Sequence, residues 1–255
     1  MEIKEKFLLN GKKAFVTGGA RGIGKSVSIA LAQSGADIAI VDLDIDEAEK
    51  TAKEIASYGV KTIAVKTDVT KPDEVNKMIE TILDAFGTID IAFNNAGICI
   101  NEKAEEMTYE SWRKVIDINL TGVFLTAQAA GRVMIKNRKG SIINTASMSG
   151  HIVNFPQPQC AYNASKAGVI MLTKSLANEW APYNVRVNCI SPGYIATEMT
   201  LKAPDEWKTY WVGHTPVKRM GNPEELRGAV VYLASDASTF TTGTDIVIDG
   251  GFTSM

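Results

Sequence analysis

Three side chains in the second half of the chain have types and spacing suited to proton transfer. Tyr162 and Lys166 are four positions apart, which puts them one turn apart on one helix face. An ammonium group beside a phenol stabilises the phenolate and lowers the pKa of the tyrosine. Such a tyrosine can protonate a ketone oxygen or deprotonate an alcohol, and Ser147 offers a hydroxyl to the same oxygen. Taken singly, each residue also has a structural explanation: Tyr162 as a packing residue at a helix start, Lys166 as a surface cation and Ser147 as a turn residue.

A glycine-rich turn near the N-terminus has the composition of a phosphate-binding loop. Residues 17–24 read TGGARGIG, after an apolar run and before a helical pattern. Glycine permits a tight turn and lets backbone N–H groups approach a pyrophosphate at a helix N-terminus. The spacing is TGxxxGxG rather than GxGxxG, so the turn alone can also be purely structural. The candidate cofactor-binding residues in it are Gly18, Arg21, Gly22, Ile23 and Gly24.

Asp42 follows this turn at the distance expected of a ribose-binding carboxylate. It ends the second apolar run, eighteen residues after Gly24. A carboxylate there accepts hydrogen bonds from the adenosine ribose hydroxyls and repels a 2′-phosphate, which favours NAD over NADP. Arg21 argues weakly for NADP, since a guanidinium can bind a phosphate, but Asp44 and Asp46 make the neighbourhood acidic. A strand-end turn residue is the structural alternative for Asp42.

The elements that must position these residues alternate along the chain. Helical stripes over 23–31, 75–86 and 226–233 lie between short β-branched runs. This alternation predicts an α/β fold, a doubly wound parallel sheet with right-handed crossovers in a single domain over 1–255. The stretch 197–221 has no clear period and is interpreted as a substrate lid, or else as a helical excursion that only packs. The seven predicted strands are Ala14–Thr17, Asp37–Asp42, Thr62–Asp68, Ile89–Asn95, Gly140–Ser147, Val185–Gly193 and Asp245–Gly251.

Composition excludes several classes of function. The 255 residues carry a formal charge of −2, with the basic residues scattered, so a nucleic-acid partner is not indicated. No apolar stretch has the length of a membrane span, and the N-terminus lacks the pattern of a signal peptide. Three separated cysteines give no disulfide framework, which favours a cytoplasmic location. Two histidines without a Cys/His cluster predict no metal site.

Taken together, the motifs closely resemble those of the classical short-chain dehydrogenase/reductase family. The glycine turn, DVT at 68–70, NNAG at 94–97, Asn119 in DINLTG, Ser147, YNASK at 162–166 and SPG at 191–193 occur in order. The resemblance extends from about residue 11 to residue 251. It implies a Rossmann-type seven-stranded parallel sheet in the order 3-2-1-4-5-6-7, with the active site at the carboxyl ends of the strands. It also implies a homotetramer formed through the two long helices that contain Trp112 and Trp180, although packing within one subunit would explain the same residues.

The resemblance assigns roles to the matching positions. Tyr162 is the catalytic acid/base, Lys166 lowers its pKa and binds the nicotinamide ribose, and Ser147 polarises the substrate carbonyl. Asn119 holds a water that connects Lys166 to solvent as a proton relay. The implied cofactor contacts are Asp68 and Val69 to the adenine, Asn94 on the adenosine side, and Pro192, Gly193, Ile195 and Thr197 around the nicotinamide; Ala96 and Gly97 of NNAG are further cofactor-binding candidates.

The loop before Tyr162 departs from the usual family pattern. It reads SMSGHIVNFPQPQCAY over 147–162, longer and more polar than in typical 3-oxoacyl-carrier-protein reductases. Its polar groups can hydrogen-bond a polyhydroxylated substrate, and a site so built rejects apolar analogues. This loop resembles that of enzymes that interconvert sugar alcohols and ketoses, so a polyol or ketose is the expected substrate. The predicted substrate-binding residues are Ser147, His151, Asn154, Gln157 and Tyr162; a loop that merely faces water is the alternative.

Two rival functions remain open at this point. A 3-oxoacyl-carrier-protein reductase would need a basic patch at the mouth of the active site to receive its acidic carrier. The candidate patch is Arg132, Lys136, Arg138 and Lys139, while Asp42 argues against the NADP usual for that reaction. A dinucleotide-sensing binding module would keep the fold and bind cofactor without turnover. The complete set of Asn119, Ser147, Tyr162 and Lys166 argues against that module.

Overall fold

Seven parallel strands form one sheet in the computed structural model, which describes residues 2–254. The sheet order is β3-β2-β1-β4-β5-β6-β7. The strands are β1 Lys13–Thr17, β2 Asp37–Asp42, β3 Thr62–Lys66, β4 Ile91–Asn94, β5 Gly140–Thr145, β6 Val185–Pro192 and β7 Asp245–Ile248. The helices are α1 Ile3–Lys6, α2 Gly22–Gln33, α3 Ile45–Ala56, α4 Pro72–Phe86, α5 Tyr109–Ile116, α6 Gly122–Asn137, α7 Cys160–Trp180, α8 Glu198–Leu201, α9 Asp205–His214 and α10 Arg227–Ala234.

The central strands are apolar on both faces because helices cover both sides of the sheet. In β1, Phe15 and Val16 are fully buried but belong to different core clusters, one on each face. One cluster packs β1 and β2 against α2, α3 and α10, and the other packs the sheet against α4, α6 and α7. The two cores hold the carboxyl ends of the strands in one row, where the chemistry-bearing residues follow.

The predicted single-domain doubly wound α/β fold is confirmed, with small differences in element ends. All seven strands are present, and the last five end one to three residues earlier than predicted. Ser147 therefore lies two residues beyond the end of β5. Before the helical stripe predicted over 226–233, Asn222 forms a capping box with Glu225, and the chain makes a 3-10 turn over Pro223–Leu226 before α10 begins.

The segment predicted to be a lid folds into two short helices. α8 begins after Thr197, which forms a capping box with Thr200, and α9 follows after three residues. Trp211 in α9 is buried, so this helix is tied to the body of the protein. Closure of the segment over a substrate stays a prediction.

The two tryptophans assigned to subunit contacts have different surroundings. Trp180 packs against Gly131, where an added Cβ would lie 2.7 Å from the indole ring, so it serves packing inside one chain. Trp112 is exposed on α5 and remains available to a neighbour. The homotetramer stays a prediction. Across residues 2–254, no helix combines the length and the apolar composition needed to cross a membrane.

Candidate active site

Two adjoining cavities open at the carboxyl ends of the strands. We call the first the glycine groove; it measures about 400 Å³. It is lined by Gly18, Arg21, Gly22, Ile23, Asn95, Ala96, Gly97, Thr145, Tyr162, Lys166, Thr197, Glu198 and Met199. We call the second the aromatic cavity; it measures about 350 Å³. It is lined by Cys99, Asn101, Ser147, Met148, Ser149, Gln157, Gln159, Tyr162, Gly193, Tyr194, Met199, Thr200, Lys202, Ala203, Pro204, Trp207 and Trp211. Tyr162 and Met199 line both, so Tyr162 stands where the cavities meet.

The glycine turn is shaped by backbone that has no room for side chains. Gly18 and Gly22 have positive φ angles of 60° and 54°, which glycine adopts without strain. A Cβ on Gly18 would lie 3.0 Å from the Cα of Ala96, and one on Gly24 would collide with the carbonyl oxygen of Gly18. α2 starts here with no side-chain cap from its N-cap residue Arg21. Its first N–H groups therefore remain available to a phosphate, and the cradle fits the pyrophosphate of a dinucleotide.

Asn95 is a site residue that sequence reasoning missed. Its Nδ2 donates to the carbonyl oxygens of Thr17 and Gly18, at 3.2 Å each, and its Oδ1 accepts from the Thr145 hydroxyl at 3.4 Å. Its backbone N–H donates to the Thr17 hydroxyl. Asn95 thus fastens the glycine turn to β5, which carries the catalytic end of the groove. The sequence signal that could have identified it is its position in NNAG, directly before the predicted cofactor-binding residues Ala96 and Gly97.

Asp42, the predicted ribose-binding carboxylate, does not line the glycine groove but is hydrogen-bonded to the glycine turn beside it. Asp42 accepts hydrogen bonds from the N–H groups of Ala20 at 3.1 Å and Asp44 at 3.2 Å. Arg21 is bound to Asp44 by a 2.6 Å ion pair, and hydrogen bonding to Asp44 is the main cause of its raised pKa. The guanidinium is therefore already engaged with carboxylates, with Glu47 at 3.8 Å as a second partner.

Besides Asp42, three more of the predicted adenosine-side residues do not line the groove. Asp68 accepts from the N–H and hydroxyl of Thr70, which shapes the turn after β3. Val69 is buried against Gly122, and Asn94 is fully buried with its Nδ2 donating to Asn144 Oδ1 at 2.9 Å. Their cofactor contacts stay predictions, whereas Ala96 and Gly97 do line the groove.

Tyr162 and Lys166 share one face of α7, as their spacing predicts. The Lys166 Nζ lies 5.6 Å from the centre of the Tyr162 ring and donates to the Thr145 carbonyl oxygen at 2.6 Å. Burial lowers the pKa of Lys166 to about 8. Burial also raises the pKa of Tyr162, with a smaller opposing contribution from its hydrogen-bonding interaction with Ser147. Burial therefore dominates the pKa of this phenol, in the direction opposite to the lowering expected from the lysine charge.

Asn119 lies in a π-helical turn, Asp117–Thr121, between α5 and α6. Its side chain is fully buried; Nδ2 donates to the Ile98 carbonyl oxygen and Oδ1 accepts from the Ile98 N–H, both at 2.9 Å. Nδ2 also lies 3.1 Å from the Ser165 hydroxyl of α7. The amide is thus occupied in fixing the loop after β4 beside the catalytic helix. Its part in a water relay stays a prediction.

The segment after β6 connects the two cavities. Gly193 lines the aromatic cavity, and a Cβ there would lie 2.7 Å from the Cα of Asp249. Ile195 is buried and pairs with Gly221 in an isolated parallel bridge. Thr197 lines the glycine groove, while Pro192 ends β6. Of the four predicted nicotinamide-side residues, only Gly193 and Thr197 line a cavity, and the cofactor contacts of all four stay predictions.

The structure separates the predicted substrate-binding residues into two groups. Ser147, Gln157 and Tyr162 line the aromatic cavity. His151 and Asn154 do not; His151 Nε2 lies 2.6 Å from Asp245 Oδ2 on β7, and Asn154 is buried behind the cavity wall. A substrate contact by His151 stays a prediction, but its position suits an anchor of the loop. Sequence periodicity carries no information about this pairing of residues 94 positions apart.

A wall of aromatic and amide side chains completes the aromatic cavity. Most of these residues were not among the predicted site residues. Tyr194 follows SPG and stacks on Trp211, with 4.2 Å between ring centres. Gln159 Nε2 contacts Ser149 Oγ and Asn154 Oδ1 at 3.2 Å each. The wall thus presents amides and hydroxyls beside aromatic faces. Within residues 2–254, no cluster of three or more His, Cys, Asp and Glu side chains is placed to hold a metal ion.

Comparisons with known proteins agree with this geometry. Residues 18–253 match a family model described as enoyl-(acyl carrier protein) reductase. The chain is 47% identical to sorbose reductase SOU1 of Candida albicans, over 98% of this chain and 90% of that protein. It is also 47% identical to a probable NADP-dependent mannitol dehydrogenase of Yarrowia lipolytica, with the same coverage of 98% and 90%.

A solved structure supports the assignment of the fold. A short-chain type dehydrogenase/reductase from Mycobacterium marinum superposes with a TM-score of 0.96 at 47% identity, covering 99% of each chain. The family model and the relatives cover nearly the whole chain, and the groove and the Ser147, Tyr162 and Lys166 arrangement lie where the motifs predict. The chain belongs to the short-chain dehydrogenase/reductase family, whose members bind a nicotinamide dinucleotide.

Proposed function

We propose that this protein interconverts a sugar alcohol and a ketose, using NAD(H) as the hydride carrier. The observation that carries the substrate class is the aromatic cavity, in which Tyr162 and Ser147 face a wall of amides and hydroxyls. Hydroxyls that line the cavity, such as those of Ser147 and Tyr194, can hydrogen-bond a substrate with several hydroxyls and gain nothing from an apolar one. The names of the sorbose reductase and mannitol dehydrogenase relatives support the same class.

The chain's own residues handle the proton. A bound nicotinamide dinucleotide supplies or accepts the hydride. Tyr162 gives its phenolic proton to the carbonyl oxygen when a ketose is reduced, and takes a proton from the alcohol in the reverse direction. Ser147, which is nearly buried, hydrogen-bonds the same oxygen and orients the carbonyl toward the groove. The pKa of Tyr162, raised by burial, favours the protonated phenol that ketose reduction needs; polyol oxidation needs the phenolate, which the Lys166 charge stabilises.

Lys166, one turn after Tyr162 on the same face of α7, supports the proton transfer. Its charge near the phenol stabilises the phenolate as it forms, and its pKa of about 8 keeps it largely protonated at neutral pH. Asn119 and the Ile98 backbone hold the loop that faces it, and the π-helical turn is the proposed place of the water that re-protonates the lysine.

The position of the basic residues argues against the acyl-carrier alternative. Arg132, Lys136 and Arg138 belong to the last turns and the C-cap of α6, and Lys139 precedes β5. β5 begins there, whereas the cavities open where β5 ends. Lys139 is also paired with Asp90 at 3.0 Å. An acidic carrier bound to this cluster would sit at the opposite edge of the sheet from Tyr162.

Nucleotide preference rests on Asp42 and its neighbours. Asp42, Asp44 and Glu47 concentrate negative charge beside the glycine turn, and Arg21 is engaged by Asp44. These contacts support NAD. At least three relatives carry "NADP-dependent" in their names, which favours the other nucleotide. Replacing Asp42 with Asn keeps an acceptor for the Ala20 N–H but removes the charge.

The deciding experiment is a substrate panel with both nucleotides. We expect turnover of pentitols, hexitols or ketoses, with a higher kcat/KM for NAD(H) than for NADP(H). Asp42→Asn should raise the NADP(H)/NAD(H) ratio of kcat/KM by about tenfold, equivalent to 1.4 kcal/mol. Activity confined to acyl thioesters would reject the substrate class. A wild-type preference for NADP(H), unchanged by the substitution, would reject the nucleotide assignment.

Tyr162→Phe tests the assigned acid/base. Removing the hydroxyl should lower kcat by about 10²- to 10⁴-fold, the usual contribution of a positioned general acid. Cofactor binding, followed by fluorescence quenching, should be retained because the turn of Gly18 and Gly24 is untouched. A variant that keeps most of its turnover would show that another group transfers the proton.

A further inference from the structure

Tyr194, directly after the SPG motif, is held in the aromatic cavity by contacts on three sides. Its ring stacks on Trp211 at an interplanar angle of 10° and meets the edge of Phe252 at 5.4 Å between ring centres. Its carbonyl oxygen accepts from the Gly221 N–H. The preceding Gly193 admits no side chain because Asp249 lies against it. The phenol therefore has one position in the cavity wall.

Two amides approach the oxygen of this phenol. Gln157 Nε2 lies 2.9 Å and Asn154 Nδ2 3.1 Å from the Tyr194 hydroxyl. The orientation of the Gln157 amide follows from its other neighbour. Trp211 Nε1, 2.9 Å from Gln157 Oε1, is an indole N–H that can only donate. The oxygen of Gln157 must face the indole, so its NH₂ group must face Tyr194.

With both amides donating to the oxygen, neither of them accepts the phenol proton of Tyr194. A phenolic oxygen accepts through its lone pairs and carries one proton to donate. Both amides donate to the oxygen, so the O–H bond points away from them, and Tyr194 lines the cavity in front of Tyr162 and Ser147. Burial raises the pKa of Tyr194, so the proton is retained at neutral pH.

We infer that the Tyr194 hydroxyl donates a hydrogen bond to a non-reacting hydroxyl of the substrate and thereby selects polyhydroxylated over monofunctional alcohols and ketones. This inference rests on the proposed polyol or ketose activity. Tyr194 does not transfer the reacting proton; it acts on binding and specificity. Since the bond is formed in ground and transition states alike, its loss should appear in KM rather than in kcat.

Tyr194→Phe removes the hydroxyl and keeps the stack on Trp211. With the best polyol or ketose of the panel, KM should rise and kcat/KM should therefore fall about tenfold. This corresponds to the loss of one hydrogen bond worth about 1.4 kcal/mol. With an unsubstituted cyclic ketone such as cyclohexanone, kcat/KM should stay within about twofold, since no second hydroxyl is present. Tyr183→Phe is the matched control, because Tyr183 is exposed and lines neither cavity; it should leave both substrates unaffected.

A second variant tests which group accepts the hydrogen bond from the Tyr194 hydroxyl, without removing that hydroxyl. Gln157→Glu keeps an acceptor for the Trp211 indole but replaces the amide donor with a carboxylate oxygen. Tyr194 should then donate to residue 157 instead of the substrate, and KM for the polyol should rise although the hydroxyl remains. This variant decides the matter if Tyr194→Phe fails to fold, as judged by its thermal transition.

The outcomes separate this inference from the proposed function. A wild-type enzyme inactive on every polyol and ketose rejects the proposed function and the inference with it. Wild-type polyol activity that Tyr194→Phe leaves intact, or that falls equally with cyclohexanone, rejects the role of Tyr194 alone. A selective rise in KM for the polyol in both variants supports it.

Discussion

The glycine groove and the aromatic cavity share Tyr162 yet are built in different ways. The groove is shaped by backbone: Gly18, Gly22 and Gly24 are positions where a side chain would be strained or would collide. The cavity is shaped by side chains from distant parts of the sequence. Gln157 bonds Trp211 across 54 positions, and Asn154 bonds Tyr194 across 40.

This difference explains why the glycine groove could be predicted from the sequence, whereas the wall of the aromatic cavity could not. A backbone-built groove depends on residue types at short, fixed spacings, so its motif is local. A cavity wall depends on pairings that form only when the loop over 148–159 meets α9 and the end of β6. The substitutions below alter one region at a time, in order of decreasing expected effect.

Lys166→Met separates chemistry from stability at the catalytic end of the groove. We expect kcat to fall about 10²-fold or more, because the charge beside Tyr162 is lost. The free energy of unfolding at pH 7 should rise by about 1–2 kcal/mol, since burial of the ammonium opposes its charge and methionine has no such cost. The lost bond to the Thr145 carbonyl offsets part of this gain.

The pH dependence of this stability difference has a defined sign. Lys166 has a pKa of about 8 in the folded protein, against an ordinary value of 10.5. Between these values the unfolded chain holds a proton that the folded protein has released, so wild-type stability rises with pH relative to Lys166→Met. Denaturant unfolding of both proteins at pH 7 and pH 10 checks this. A difference that stays constant would contradict the assigned burial.

Gly24→Ala tests the backbone-built character of the groove. An added Cβ collides with the Gly18 carbonyl oxygen, so we expect a loss of about 1–3 kcal/mol in unfolding free energy. Cofactor affinity, measured by titration, should fall by about tenfold or more because the turn must shift. Gly228→Ala in α10 is the control: a Cβ there meets nothing within 4 Å, and helix propensity favours it. Equal behaviour of the two variants would contradict a steric role.

His151→Gln has the smallest expected effect and tests the outer edge of the cavity. Glutamine can still donate to Asp245, whose Oδ2 also accepts from the Ser191 hydroxyl at 2.7 Å. We expect kcat/KM for the polyol to stay within about twofold, a change of about 0.5 kcal/mol. A drop in kcat/KM matching that of Tyr194→Phe would place His151 in contact with the substrate, as the sequence suggested.

Much of the fold and part of the candidate site could be predicted from the sequence. Strands read as apolar runs because both faces of the sheet are covered, and Tyr162 and Lys166 share a helix face because of their spacing. The π-helical turn around Asn119 was not predicted, since it interrupts a continuous helical pattern by a change in backbone bonding alone. Asn95 was missed because its role lies in bonds to Thr17, Gly18 and Thr145.

The sequence by itself determined the α/β fold, the family, the glycine turn and the spacing that puts Tyr162 and Lys166 on one helix face. Each follows from periodicity or from a short motif, which are properties of neighbouring residues. Only the tertiary structure decided that His151 binds Asp245 instead of lining the cavity, and that Trp211 fixes Gln157 so that its amide faces Tyr194. These are directional hydrogen bonds between distant segments, and their partners are set by where packing brings each segment, which residue spacing does not encode.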